Sequence, residues 1–187
     1  MHEDAHLIER TLKGDSAAFG DLITRYQDRL YNSLVHVVGC TDEANDVVQD
    51  ALVQAFVKLN TFRGTSAFYT WLYRIAFNAA ITRRRKRRPH TSIEQNREAT
   101  GSEPAETGGS PSERIEQQER AEQVHAALRA LTEEHRAILV LREVDGCAYE
   151  TIGEILELPV GTVRSRLHRA RLQLRDQLKV VLQEDLK

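Results

Sequence analysis

Between Pro89 and Ser112 the chain reads PHTSIEQNREATGSEPAETGGSPS, in which Ile93 is the one large apolar side chain. A stretch so poor in apolar surface cannot offset the entropy of ordering its backbone, so no single core can run through the middle of the chain. The 187 residues therefore divide into two small domains, 1–88 and 113–187, joined by a linker at 89–112. As a free coil that linker averages roughly 25 to 30 Å end to end, and it reaches about 80 Å fully extended. Domains on such a tether can occupy well-separated sites.

Apolar residues on both sides of the linker recur at helical spacing. Phe19, Leu22, Ile23, Tyr26, Leu30 and Leu34 form one stripe behind the capping candidates Gly14-Asp15-Ser16. Val47, Val48, Ala51, Leu52, Ala55, Phe56 and Leu59 form a second after Thr41-Asp42-Glu43. Phe68, Leu72, Ile75, Ala76 and Ala79 form a third after Gly64-Thr65-Ser66. In the second domain Val124, Leu128 and Leu131 continue a helix, Thr132 with Glu133 and Glu134 restarts one, and Asp145-Gly146 turns the chain. No period-two pattern persists anywhere. The expected fold is all-α: two small helical domains.

Charge is segregated along the chain although the formal net charge is only -2. The third helix runs into RRRKRR at 83–88, and residues 160–187 carry 7 basic against 3 acidic side chains, while the middle is acidic. Local positive fields, rather than net charge, decide whether a polyanion binds. A basic run at a helix C-terminus also complements the helix dipole and can simply be solvated, and both readings stay open from the run alone. Its neighbours favour a nucleic acid. Phe62, Phe68, Tyr69, Trp71, Tyr73 and Phe77 crowd one short segment of a chain that is 6% aromatic. Phe68, Trp71 and Tyr73 cannot point the same way on a helix, so at least one large ring is expected at or near the surface. Exposed rings beside arginines suit unstacked bases, each stacked base contributing about 1 to 3 kcal/mol.

Near the C-terminus, LPVGTVRSRLHRARLQLR at 158–175 follows a short patterned helix bearing Tyr149, Ile152, Ile155 and Leu156. Short helix, tight turn and longer basic helix make a helix-turn-helix outline. At about 100° per residue, Leu167, Ala170, Leu174 and Leu178 fall near Val163 and form the core stripe. Ser165, His168, Arg169 and Leu172 point away from it. Arg164, Arg171 and Arg175 take one flank and Arg166 the other. Outward polar groups early in such a helix reach base edges, and flanking arginines reach phosphates.

Other function classes find little support. Cys40 and Cys147 lie outside any disulfide framework or zinc spacing. The start, MHEDAHLIERTLKGD, lacks the apolar core of a secretory signal, and no run approaches a membrane span. A protein of the cytoplasm, not inserted in the membrane, is expected. A stand-alone repressor would use the helix-turn-helix but would not need the aromatic segment, and a DNA enzyme would need a catalytic constellation that the scattered histidines do not supply.

FRGTSAFYTWLYRIAFNAA (62–80) and LPVGTVRSRLHRARLQLR resemble the two signatures of extracytoplasmic-function sigma factors of the sigma-70 family, the sigma-E-like group especially. The resemblance extends over DEANDVVQDALVQAF and LTEEHRAILVLREVDGCAYETIGEIL, hence most of the chain outside the linker. It implies that 1–88 is sigma region 2 and 113–187 is sigma region 4. Asp46, Gln49, Asp50 and Val53 then match the surface that docks on core RNA polymerase, which the residues alone would leave as an acidic helix face. Arg63, Phe68, Trp71, Tyr73, Asn78, Arg83 and Arg84 fall in the segment that opens the minus-10 promoter element. Asn78 matches a base-reading position there, and on residue type alone a buried amide remains the alternative. Arg164, Ser165, His168 and Arg169 match positions that read the minus-35 element, with Thr162 and Arg171 beside them. The implied partners are core RNA polymerase, promoter DNA and an anti-sigma factor. No enzymatic activity, metal or cofactor is implied.

Three positions depart from the family pattern. His168 stands where a larger apolar or aromatic residue is frequent, so the minus-35 sequence cannot be carried over from a relative. Glu157 stands where many relatives have Gly after the first helix of the motif, at about 1 kcal/mol if the site needs positive φ. Ala148 replaces a Ser-like cap, at about another 1 kcal/mol.

Overall fold

The computed structural model describes residues 2–87 and 111–184. The linker expected at 89–112 falls almost wholly outside them, except that its last two residues open a helix with Pro111 at the first position, where a missing N–H is no loss. All regular structure among the described residues is helical. In chain order the helices are α1 (His2–Leu12), α2 (Ser16–Thr24), α3 (Gln27–Val38), α4 (Thr41–Lys58), α5 (Phe68–Arg87), α6 (Pro111–Arg129), α7 (Glu133–Leu139), α8 (Tyr149–Leu156) and α9 (Val160–Glu184). A 3-10 turn at Leu59–Thr61 follows α4, and a π turn at Val140–Val144 follows α7.

The first expected stripe is two helices rather than one. Tyr26 caps α3 from outside helical geometry, and its hydroxyl donates to Asp4 Oδ2 at 2.6 Å, tying α1 to the break. Burial and that carboxylate push the Tyr26 hydroxyl pKa up to about 12. Asp15 joins α1 to α2: Oδ1 accepts from the Ala17 and Ala18 amides at the start of α2, and Oδ2 accepts from Arg10 Nη2 at 2.6 Å. Arg10 foremost, with the Ala18 amide, holds the Asp15 carboxyl below the ordinary range. Leu22, Leu30, Leu34, Val47 and Leu72 are wholly buried in the first half, each such side chain adding about 1.5 to 3 kcal/mol. Phe56, expected in the second stripe, is a correction. It is 48% exposed and meets Phe19 edge-on at 5.0 Å, because Ala51 and Ala55 already fill the inward positions of α4.

In the second half α9 is the organising helix, packed by α6, α7 and α8. Val163, Leu167 and Ala170 are buried as the periodicity requires, and the stripe continues half-buried through Leu174 and Leu178. Thr132 caps α7, its Oγ1 accepting from the His135 amide. α8 reaches α9 through a tight turn in which the Leu158 amide donates to the Gly153 carbonyl at 2.9 Å. Gly153 is placed by close approach: a Cβ there would stand 2.7 Å from the Leu158 carbonyl oxygen. A glycine inside a helix costs about 1 kcal/mol relative to alanine, and here it admits the returning backbone.

The two departures expected to weaken this motif are realised. Glu157 closes α8 at φ 56°, ψ 47° and is the non-glycine residue with positive φ among those described. Ala148 precedes α8 with no side-chain hydrogen bond to its first amides. Glu157→Gly is therefore expected to stabilise the second half by about 1 kcal/mol, and Ala148→Ser by a similar amount. Thermal denaturation followed by circular dichroism should show both increases, roughly additive.

Candidate nucleic-acid interface

The turn from α4 to α5 needs Gly64 at φ 69°, and it wraps a pocket of about 470 Å³ against the start of α5. Its walls are Thr61, Phe62, Arg63, Thr65, Ser66, Thr70, Trp71 and Arg74, with Glu154 of α8 at one side. Hydroxyls, two guanidinia and an indole around one hollow suit a planar group with polar edges and a nearby anion. Trp71, Arg74 and Asn78 lie at i, i+3 and i+7, so one face of α5 runs from the pocket to Asn78. Asn78 is exposed, and the buried-amide alternative falls.

The expectation of an exposed large ring is corrected. Phe68 is 2% exposed, Trp71 7% and Tyr73 0%. Phe62 meets Phe68 at 5.7 Å and Trp71 at 5.4 Å between ring centres, and Tyr69 meets Tyr73 at 5.9 Å. The rings do diverge around α5, but the other half of the molecule covers the second direction: α8 packs on α5, and α3 packs on α7 and on the π turn. Half-buried Phe62 and the edge of Trp71 remain to line the pocket.

Asp46, Gln49, Asp50 and Val53 form one exposed row on α4, at i, i+3, i+4 and i+7, opposite the buried Val47, Ala51 and Ala55. The row continues beyond the expected set into Phe56 and Val57, with Val53 65% and Val57 70% exposed. Apolar patches of that kind mark protein contacts. Sequence reasoning missed Phe56 because its spacing is also that of a core stripe, and passed over Val57 because it lies off that stripe. Arg83, expected on the DNA side, reaches across from α5 to this row: Nη1 donates to Asp50 at 3.1 Å and Nη2 to Asp46. The side chain of Arg84 lies outside the described residues.

On α9 the outward set is presented as expected. Arg164, Ser165, His168 and Arg169 are exposed, Thr162 is half-buried, and Ser165 Oγ donates to the Thr162 carbonyl at 3.1 Å. The arginines separate by partner. Arg171 donates Nε and Nη2 to Glu143 Oε1 at 3.0 and 2.7 Å, Arg166 pairs with Glu134 at 2.9 Å, and Arg175 pairs with its neighbour Asp176. The Glu143 hydrogen bond foremost raises the Arg171 pKa. Among the described residues no ion pair holds Arg164 or Arg169, and the Arg164 guanidinium lies 5.9 Å from the centre of the Tyr149 ring. No cluster of metal-ligating side chains occurs among the described residues, nor any helix long and apolar enough to cross a membrane.

A pocket beside a ring cluster in one half and a basic helix-turn-helix in the other coincide with two family regions, Sigma-70 region 2 at residues 22–90 and Sigma-70 region 4 at 121–174. The chain belongs to the sigma-70 family. Its relatives place it among the extracytoplasmic-function sigma factors. It is 41% identical over 177 residues to the ECF RNA polymerase sigma-E factor of Escherichia coli K12, covering 90% of each chain. It is 38% identical over 189 residues to the RNA polymerase sigma-H factor of Pseudomonas aeruginosa, covering 98% of each. Among solved structures it is similar to CnrH in complex with the cytosolic domain of CnrY, at a TM-score of 0.69 and 26% identity over 95% of this chain and 98% of that one. It is also similar to the sigma factor RpoE of Bartonella quintana in complex with the anti-sigma factor NepR, at 0.70 and 27% over 87% and 97%. The sigma factor is thus a transcription initiation factor rather than an enzyme.

Trp71 and Asn78 are expected to differ in kind. Trp71→Ala removes a buried ring and should lower stability by about 3 to 5 kcal/mol, whereas Asn78→Ala, on an exposed helix face, should stay within about 0.5 kcal/mol of the parent. Urea denaturation of the two variants gives the comparison.

Proposed function

We propose that this sigma factor docks on core RNA polymerase through the exposed row of α4, holds promoters at the minus-35 element with α9, and captures unstacked minus-10 bases along the pocket face of α5. What supports the reading is that one chain carries both a pocket lined by Arg63, Trp71 and Arg74 and a helix exposing Arg164 and Arg169 without ion pairs among the described residues, which suit an extruded base and duplex DNA respectively. A stand-alone repressor has use for the second alone. Preference for bases already out of the stack shifts the closed–open equilibrium of the promoter toward the open form. The bond-making chemistry stays with polymerase, so the working place is the cytoplasm, where the template is. Region 2 is assigned to 1–88 and region 4 to 113–187. An anti-sigma protein is the expected regulator, by likeness to a relative solved with one.

Run-off transcription with purified core polymerase on genomic fragments tests the reading and yields the promoter. No specific transcript above the core-alone background would reject it. Within it, Asp46→Lys with Asp50→Lys should weaken core binding at physiological salt at least fivefold, the scale of losing a few charged contacts, with helicity unchanged. Arg164→Ala or Arg169→Ala should relax base preference at defined minus-35 positions by about 1 to 3 kcal/mol. Arg171→Ala or Arg175→Ala should instead weaken all promoters alike and flatten the salt dependence. Transcription from a minus-35 base library at two salt concentrations separates these outcomes.

A further inference from the structure

Arg83 lies at i+7 from Ala76 and i+3 from Ala80, both buried, so it continues the inward side of α5. At about 100° per residue it stands about 140° around the helix from Asn78, away from the face that leads to the pocket. α4 packs directly against α5, and the small buried side chains of Ala51, Ala55, Ala76 and Ala80 suit a close approach of the two backbones. The Arg83 guanidinium thereby reaches the outer row of α4, where Nη1 donates to Asp50 Oδ2 at 3.1 Å and Nη2 donates to Asp46 Oδ2. Two carboxylates one turn apart repel each other, and a guanidinium forked between them relieves both.

The bridge is easily exchanged. Arg83 is 34% exposed, and Asp46 and Asp50 are 53% and 58% exposed, so water screens each pair and a competing cation can take its place. Its effect on the surface is nonetheless plain. One guanidinium cancels half the charge that the two carboxylates offer, on the same row where Val53, Phe56 and Val57 stand exposed. A partner seated there meets carboxylates first and apolar side chains one and two turns later, which calls for a basic group beside an apolar one. A basic group arriving from outside contends with Arg83 for the same oxygens.

We propose that Arg83 is an internal stand-in for the basic group that core RNA polymerase presents to Asp46 and Asp50, and that it holds core affinity down. Docking must either displace the Arg83 guanidinium or accept a row with half its charge, and both routes have the same sign. The inference rests on α4 being the dock, and it assigns Arg83 to that surface rather than to the minus-10 strand. The consequence is one of competitive standing: a factor that carries its own cation on the dock takes a smaller share of a limited pool of polymerase than the same factor without it.

Binding of the fluorescently labelled full chain to purified core polymerase, titrated at low and at physiological salt, tests it. Arg83→Ala and Arg83→Gln should each tighten core binding about two- to fivefold at low salt, the scale of one exposed ion pair, and by less at the higher salt. Arg83→Lys, which restores a cation within reach of the carboxylates, should return the affinity toward that of the parent. Asp46→Asn with Asp50→Asn should weaken binding, and in that background Arg83→Ala should no longer tighten it. A residue that only staples α5 to α4 predicts the opposite sign, since loosening the helix does not improve the dock. Core binding left unchanged or weakened by Arg83→Ala and Arg83→Gln overturns the inference while the dock stands, as does a gain that persists without the two carboxylates. If Asp46→Asn with Asp50→Asn binds core as tightly as the parent, the dock reading itself falls and the inference with it.

Discussion

Everything in this molecule turns on covering the rings of α5. A helix that carries Phe68, Tyr69, Trp71, Tyr73 and Phe77 has apolar surface on more than one side, and a single small bundle cannot wrap it all. Phe62 and the turn before α5 take Phe68 and Trp71, α3 brings Tyr26 and Arg29 to Tyr69, and the second half closes over the remainder. Tyr73, with no exposed surface, shows how complete the enclosure is, and its buried hydroxyl is pushed well above the ordinary phenol range by desolvation. Surface that is hydrophobic enough to stack on bases is surface that the free protein must hide.

The helix-turn-helix is governed by a different constraint, the backbone path between α8 and α9. Gly153 yields space to Leu158, and Glu157 accepts a left-handed conformation that glycine would adopt without strain. Above that strained corner the arginines divide into those paired with Glu134, Glu143 and Asp176 and those, Arg164 and Arg169, with no ion pair among the described residues. An arginine with an intramolecular acidic partner must exchange one carboxylate for a phosphate on binding, so it contributes less than one without such a partner, though its removal still costs affinity.

Much of this was legible from residue order. The helical periods, the caps at Asp15 and Thr132, the core stripe of α9 and its outward set all follow from spacing and residue type, because local chemistry decides them. The strain at Glu157 was expected from the family resemblance, in which glycine frequently stands at that position, rather than from residue order. The split between α2 and α3 was not legible, since it depends on Tyr26 reaching back to Asp4 on α1. Phe56 was misplaced because its spacing fits a core stripe, and only the alanines inside α4 decide that it faces out. The ring cluster was placed near the surface because no local rule reports that α8 and the 145–147 turn lie over it. Contacts between halves separated by a polar linker are the kind that periodicity cannot register.

The apolar end of α4 carries its own consequence for the life of the protein. Val53 and Val57 stand largely in water, and Phe56, edge-on to Phe19, still leaves 48% of its surface exposed, next to carboxylates that keep the surface soluble but do not cover it. A factor of this design is safest when its numbers match the supply of proteins able to sit on that face. Made in excess, it presents a sticky edge to whatever else is nearby, and proteolysis or aggregation competes with function. The penalty for surplus thus follows from the exposed side of a single helix, whatever promoter the factor serves.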